Sequence, residues 1–179
     1  KHMKHGTKNI LSHRHHHEAN VMTKSLLTLS LQKATEQKSL PTNKDFREWI
    51  LQALAVANYA KPCEVAIRLV DEEESHALNL QYRGKDKPTN VLSFPSDLPD
   101  EVLTSLKREP LGDIIICVPV VLAEATEQHK TATAHWAHLT IHGILHLLGF
   151  NHIDDEEAEE MEALEIDALQ ELGINNPYE

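Results

Sequence analysis

The feature that most constrains this chain is a set of three histidines around a glycine near its C-terminal end. His142 and His146 are four residues apart, so on a helix they lie one turn apart on the same face. Gly149 has no Cβ and can adopt a positive φ, so the helix can end there and the chain can bring His152 back to the same place. The spacing predicts three imidazole ligands around one metal ion.

A second interpretation is that these histidines are ordinary core residues, because a buried histidine pair at this spacing can simply be hydrogen-bonded. The glycine and the third histidine favour metal binding, since three converging imidazoles without an ion would be hard to satisfy. Imidazole suits zinc, but the pattern does not distinguish zinc from nickel, copper or iron. Three protein ligands leave one position for water, which is typical of catalytic rather than structural zinc sites.

The neighbours of the three histidines narrow the chemistry. Zinc proteases with an HExxH motif carry a glutamate directly after the first histidine, where this chain has Gly143, so peptide hydrolysis by that route lacks its general base. His138 lies one turn before His142. It is predicted either to support a metal ligand by contact or to be a core histidine, in preference to binding the ion itself.

Periodicity along the rest of the chain indicates mixed strands and helices that do not alternate strictly. Thr42 or Asn43 is expected to cap the first helix, Asp71 with Glu74 to cap the second, and Gly84 to end the second. The predicted strands are 27–31, 65–69, 91–94 and 111–118; the predicted helices are 44–58, 72–82, 120–129, 133–148 and 154–172; and 96–110 is predicted to be a surface loop.

These elements predict a single α+β domain, with a small mixed β-sheet flanked by helices and the metal site at the end of a central helix. Residues 1–21 hold six of the 13 histidines and show no periodicity. We interpret them as a flexible His-rich extension, derived from a tag or from a start assigned too early, and residues 22–179 as the functional domain.

Composition limits the environment and the partners. Neither a membrane-spanning run nor a secretory signal is visible, and the two cysteines, Cys63 and Cys117, are expected to be core residues, so a cytoplasmic location is predicted. The net charge of −11 argues against broad nonspecific binding of nucleic acid. Nine carboxylates are concentrated in residues 154–167, however, which leaves room for a local basic site elsewhere.

The densest positive stretch contains Arg83, Lys85 and Lys87. It is either a solvated turn or a phosphate-binding edge, in which Arg83 offers a bidentate fork and the lysines add positive potential. The stretch RGKDKPTNVLSFP, followed by LGDIIIC, AHWAHLTIHGILHLLGFNH and DDEEAEEMEALE, resembles the YbeY family of ribosomal-RNA maturation endoribonucleases, and the four blocks occur in the right order.

The resemblance implies an α+β fold, one Zn²⁺ per chain on His142, His146 and His152, and catalytic roles for Arg83 and His142. It also implies a single-strand-specific endoribonuclease that acts in 16S rRNA 3′-end maturation, late 70S ribosome assembly and ribosome quality control. The implied partners are ribosomal RNA and the small subunit, with ribosomal-protein or GTPase partners and no membrane. Residues 22–179 would then be a metal-dependent endoribonuclease domain.

One position departs from the family pattern, because Asn151 replaces the aspartate that usually precedes the last histidine. Asn151 can accept a hydrogen bond but carries no charge, which affects the support of the metal ligands. The expected chemistry is activation of water and a phosphoryl oxygen by the ion, with Arg83 stabilising the phosphate charge. Either water or the RNA 2′-hydroxyl can be the nucleophile, and an aromatic content of 4% predicts no extensive base-stacking platform.

Two alternatives remain open at this point. One is a peptidase or another zinc hydrolase, against which Gly143 counts. The other is a noncatalytic ribosome-assembly factor in which zinc only stabilises the fold.

Overall fold

The computed structural model describes residues 26–179. The sequence prediction for residues 1–21 therefore lies outside the described residues. The described part contains four strands and six helices, in the order β1 (Leu27–Ala34), α1 (Asn43–Val56), β2 (Cys63–Val70), α2 (Glu72–Arg83), β3 (Val91–Pro95), α3 (Asp100–Ser105), β4 (Glu109–Cys117), α4 (Val118–Glu127), α5 (Ala132–Leu147) and α6 (Asp155–Glu171).

The strands form one mixed sheet in the order β1-β2-β4-β3. β1, β2 and β4 are parallel, and β3 pairs antiparallel with β4 at the edge of the sheet. The predicted α+β domain with a small mixed sheet flanked by helices is confirmed. Its two cysteines are free and buried, as expected.

One face of the sheet carries the hydrophobic core. Side chains alternate along β2, so Ile67 and Leu69 point to this face beside Ile114 and Ile116 of β4. Helices α1 and α5 pack against the sheet, and α6 packs against both of these helices. Ten of the 16 residues of α5 are buried, which makes it the central helix and explains why its sequence is apolar on nearly every side.

Local sequence signals account for several element boundaries. The hydroxyl of Thr42 accepts from the backbone N–H of Asp45, and the Asp45 carboxylate accepts from the Thr42 N–H, which is a capping box at the start of α1. Gly84 follows α2 with φ +68°, the left-handed conformation that ends many helices. Both helix boundaries agree with the predictions.

The predicted side-chain cap at Asp71 is wrong. Asp71 does precede α2, but its carboxylate accepts from the Thr35 hydroxyl and the Glu36 N–H after β1. Glu74 forms an ion pair with Arg68 of β2, with Nε and Oε2 2.7 Å apart. Tertiary partners after β1 and on β2 thus replace the local capping box.

The segment 96–110, predicted as a loop, also contains regular structure. Residues Asp100–Ser105 form the short helix α3, and β4 already begins at Glu109. Pairing of Glu109 and Pro110 with Cys63 and Glu64 extends the parallel ladder, an effect that local polarity does not reveal. None of the helices in the 26–179 range is both long and apolar enough to cross a membrane.

Candidate metal centre

The end of α5 brings the ring nitrogens of two histidines close together. The Nε2 atoms of His142 and His146 are 3.0 Å apart, and their ring centroids are 4.5 Å apart. The i,i+4 spacing on one helix face produces this arrangement, as the sequence predicts.

The turn after α5 carries the third histidine back. Gly149 has φ +100°, and its N–H donates to the His146 carbonyl while the Phe150 N–H donates to the Leu145 carbonyl. The ring centroid of His152 then lies 5.0 Å from the ring centroid of His142 and 5.4 Å from that of His146. One ring nitrogen from each histidine lies within 4.8 Å of the other two, so the three could hold one metal ion.

The donor set suits a zinc-type ion. Two imidazole nitrogens bound tetrahedrally to one zinc stand about 3.3 Å apart, close to the separation of the two Nε2 atoms. Burial, together with the neighbouring His142 and His152, lowers the pKa of His146 to about 4. His146 is therefore neutral at neutral pH, with a lone pair free to bind.

A carboxylate that the sequence analysis did not single out holds His142 from behind. Glu165 of α6 is 0% exposed, and its Oε1 lies 2.6 Å from Nδ1 of His142. Burial by itself raises the pKa of Glu165, but hydrogen bonds from His138, His142 and Tyr178 hold it well below its usual range. An ionised carboxylate only accepts, so Nδ1 carries the proton and Nε2 of His142 faces the other imidazoles with a lone pair.

The penultimate residue, Tyr178, is 45% exposed, but its hydroxyl contacts the buried Glu165. Tyr178 donates its hydroxyl proton to Oε2 of Glu165 at 2.5 Å, and burial beside Glu165 raises the pKa of Tyr178 above its usual range. Nε2 of His138 lies 3.3 Å from the Tyr178 oxygen and 3.5 Å from Oε1 of Glu165. His138 thus lies behind the three histidines, in contact with the residues that support His142.

Most carboxylates of α6 are exposed, but Glu165 is buried. A signal for this was present in the sequence. Met161, Glu165, Ala168 and Leu172 follow the i, i+4, i+7, i+11 spacing of one helix face, and Met161 and Ala168 are buried. A glutamate within an apolar stripe indicates a paired carboxylate in the interior.

Arg83 lies on the open side of the centre. A cavity of about 760 Å³ is lined by Arg83, by β3 and by all three histidines. Lys85 and Lys87 are exposed and do not line it. Within residues 26–179, no aspartate or glutamate lines this cavity.

The loop after Arg83 is tied to α2 by buried polar side chains. The amide of Asn79 donates to the Lys87 carbonyl at 2.8 Å, and the Ser75 hydroxyl donates to the Thr89 carbonyl at 2.9 Å. These contacts order the basic loop beside the entrance to β3. The stretch is therefore an anchored loop rather than only a solvated turn.

Asn151 lines the same cavity and is exposed. Its side-chain amide donates to the Gly149 carbonyl at 3.3 Å, so the hydrogen bond found for it ties the turn that carries His152. A supporting role for Asn151 toward the metal ligands stays a prediction.

Gly143, at the position of the protease glutamate, is buried between α5 and the sheet. A Cβ on this residue would lie 3.0 Å from Cδ1 of Ile114 and 3.3 Å from Oγ of Ser93. The Ser93 hydroxyl also donates to the Gly143 carbonyl at 3.3 Å. This position therefore faces the packed sheet, where a glutamate would not fit without displacing Ile114.

Comparisons with known proteins point to one family. The model of the family described as endoribonuclease YbeY matches residues 30–173. The chain is 56% identical over 155 residues to endoribonuclease YbeY of Acinetobacter baumannii, covering 86% of this chain and 98% of that protein. It is 55% identical over 155 residues to the Acinetobacter baylyi protein of the same name, with the same coverage of both chains.

A solved structure has a similar fold. The solution structure of TM1509 from Thermotoga maritima matches with a TM-score of 0.51 and 26% identity, covering 83% of this chain and 95% of that one. The resemblance noted in the sequence blocks is thereby confirmed. With its histidine cluster, its arginine-lined cavity and these relatives, the chain belongs to the YbeY endoribonuclease family.

Proposed function

We propose that this protein is a zinc-dependent, single-strand-specific endoribonuclease that cleaves ribosomal RNA in 16S 3′-end maturation, late 70S assembly and ribosome quality control. Family membership supports hydrolysis of RNA. The observation that carries the proposal is the shared cavity, in which Arg83 and three convergent histidines line one space of about 760 Å³. Its partners would be ribosomal RNA, the small subunit and its ribosomal-protein or GTPase factors in the cytoplasm.

The metal ligands in this proposal are His142, His146 and His152. When bound, a zinc-type ion supplies Lewis acidity to an oxygen of the phosphodiester or of water. Glu165 keeps the proton of His142 on Nδ1 and so keeps Nε2 directed at the cavity. Two residues outside the ligand set support the ligands in this proposal. His138 does so by its contacts with Tyr178 and Glu165. Asn151 does so by its hydrogen bond to the Gly149 carbonyl.

Arg83 is the phosphate-binding and charge-stabilising residue in this proposal. Its guanidinium can offer two parallel N–H groups to one phosphate, and it stands at the end of α2 on the rim of the cavity. Lys85 and Lys87, on the anchored loop outside the cavity, would attract the neighbouring backbone by charge alone.

The absence of a carboxylate among the described cavity residues bears on the nucleophile. A carboxylate general base has no candidate there. Attack by the RNA 2′-hydroxyl leaves a 2′,3′-cyclic phosphate, whereas attack by water leaves a terminal phosphomonoester and a free hydroxyl. Analysis of the product ends therefore distinguishes the two routes.

The test compares cleavage of single-stranded and duplex ribosomal-RNA fragments by the wild type, His146→Ala, Arg83→Ala and Arg83→Lys at equal folded fraction. We expect both alanine variants to lose cleavage and Arg83→Lys to keep only part, because lysine retains the charge but not the bidentate fork. Undiminished cleavage by both alanine variants would contradict the proposal. If the wild type binds zinc and is stabilised by it but cuts no RNA, the noncatalytic assembly factor is correct instead.

A further inference from the structure

An exposed aromatic ring stands at the rim of the cavity. Tyr82 is 60% exposed although its side chain is large, and it lines the cavity with Phe94 of β3 and with Arg83. Isolated exposed aromatics are common on protein surfaces. This one differs because it borders the space that contains the histidines and the arginine.

The ring of Tyr82 is held in place by its neighbour. Its centroid lies 5.0 Å from that of Phe94, with an interplanar angle of 67°, which is an edge-to-face contact. Tyr82 is also in the last turn of α2, directly before Arg83, and the backbone there is ordered by the Gly84 cap. The ring is therefore positioned before any ligand arrives, and most of its surface remains free.

We propose that Tyr82, supported by Phe94, is a nucleobase-binding subsite that stacks one base of the RNA next to the phosphate held by Arg83. The inference rests on the proposed function and adds a residue that positions the substrate. The neighbouring cations Arg83, Lys85 and Lys87 favour a polyanionic ligand over an apolar peptide. Stacking on an aromatic face accepts every base, so the subsite would fix the position of the strand without specifying its sequence.

The size of the effect follows from known stacking contributions. Loss of one aromatic platform weakens binding of a single strand by about tenfold or more. A single subsite is also compatible with the low aromatic content of the chain, which argues only against an extended platform.

The experiment measures affinity of the full chain for single-stranded RNA oligonucleotides in which one base at a time is removed while the backbone is kept. The wild type is compared with Tyr82→Phe, which keeps a ring, and with Tyr82→Leu, which keeps an apolar side chain but no ring. We expect Tyr82→Leu to bind intact RNA about tenfold more weakly and Tyr82→Phe to bind within about twofold of the wild type. We further expect base removal at one position to weaken the wild type by a similar factor and Tyr82→Leu hardly at all.

Several results would overturn the subsite. Equal affinity of Tyr82→Leu and the wild type for intact RNA would do so, as would a wild type that is insensitive to base removal at every position. If Tyr82→Leu loses more affinity for an acidic peptide than for RNA, the ring belongs to a binding site for a protein partner instead. RNA cleavage measured in parallel separates the two proposals. If the wild type cleaves RNA and Tyr82→Leu does not change RNA affinity, only the subsite is refuted.

Discussion

Two histidines of helix α5 each pair with a glutamate of a neighbouring helix, and the two pairs are chemically alike. Near its start, Nε2 of His135 lies 2.9 Å from Oε1 of Glu124 on α4, and near its end Nδ1 of His142 lies 2.6 Å from Oε1 of Glu165 on α6. Burial raises the pKa of each glutamate, but the hydrogen bonds it accepts lower it more. Both pairs therefore contain an ionised carboxylate.

The two pairs differ in what faces the second ring nitrogen. His135 is only 3% exposed, and its Nδ1 is buried without a hydrogen-bond partner, while Glu124 also accepts from the amide of Asn90. This pair ties α4, α5 and the start of β3 together. The side chain of His142 is 22% exposed, and its second nitrogen faces His146 and the cavity. The same kind of pair is thus closed off and structural at His135, whereas at His142 it leaves a ring nitrogen that could bind a metal ion.

Removal of a ligand should have the largest effect. Loss of a residue that supports a metal ligand lowers metal affinity by about 10–100-fold. In His146→Ala a ligand itself is lost, so we expect zinc affinity to fall by more than this. Zinc at 100 times its Kd should stabilise the wild type by about 2.7 kcal/mol and leave the variant unchanged. Competition with a chromophoric chelator and thermal unfolding with and without zinc measure both effects.

Any zinc that the six histidines of residues 1–21 bind has to be subtracted in that measurement. The full chain with His142, His146 and His152 all replaced by alanine provides this background. If His146→Ala keeps wild-type affinity above the background, the three-histidine centre is wrong.

Neutralising Glu165 should have the next largest effect. Glu165→Gln keeps the shape and an acceptor for His142 but removes the negative charge, so we expect about 10–100-fold weaker zinc binding. The free energy of unfolding of the metal-free protein should also fall, by about 1 kcal/mol or more, because the hydrogen bonds from His138, His142 and Tyr178 lose a charged acceptor. The matched control is Glu124→Gln on the other pair, and equal losses of zinc affinity in both variants would refute the distinction between them.

A smaller effect is expected at the end of the chain. Tyr178→Phe removes the proton donor to Oε2 of Glu165 while keeping the ring beside His138. The carboxylate then loses one of the contacts that orient it toward His142, and we expect zinc affinity to fall by about two- to fivefold, below the range for Glu165→Gln. Chelator competition at the same pH measures it; affinity unchanged or increased would show that Tyr178 does not orient the carboxylate.

The smallest effect on zinc is expected at the structural pair. Glu124→Gln should leave zinc affinity unchanged. It should lower the free energy of unfolding by about 1 kcal/mol, because the hydrogen bonds from His135 and Asn90 lose a charged acceptor. Urea denaturation of the metal-free protein measures the change in stability. Loss of zinc affinity here would mean that the whole histidine face of α5 acts as one unit.

The sequence by itself determined the parts of this protein that depend on neighbours along the chain. A four-residue spacing sets His142 and His146 on one helix face, and Gly149 permits the positive φ that returns His152 to them. These features can be predicted because helix periodicity and allowed backbone angles are local properties. The sequence blocks also indicated the family, since four of them occur in order.

Only the tertiary structure decided which residues surround the three histidines. Glu165 reaches His142, and Tyr178 reaches Glu165, because α6 and the end of the chain pack over α5. Arg83 and Tyr82 line one cavity with β3, which lies at the edge of the sheet. These contacts join residues far apart in sequence. Their energies depend on burial and on the exact partners, as the two histidine–glutamate pairs demonstrate, and neither quantity is a property of the local sequence.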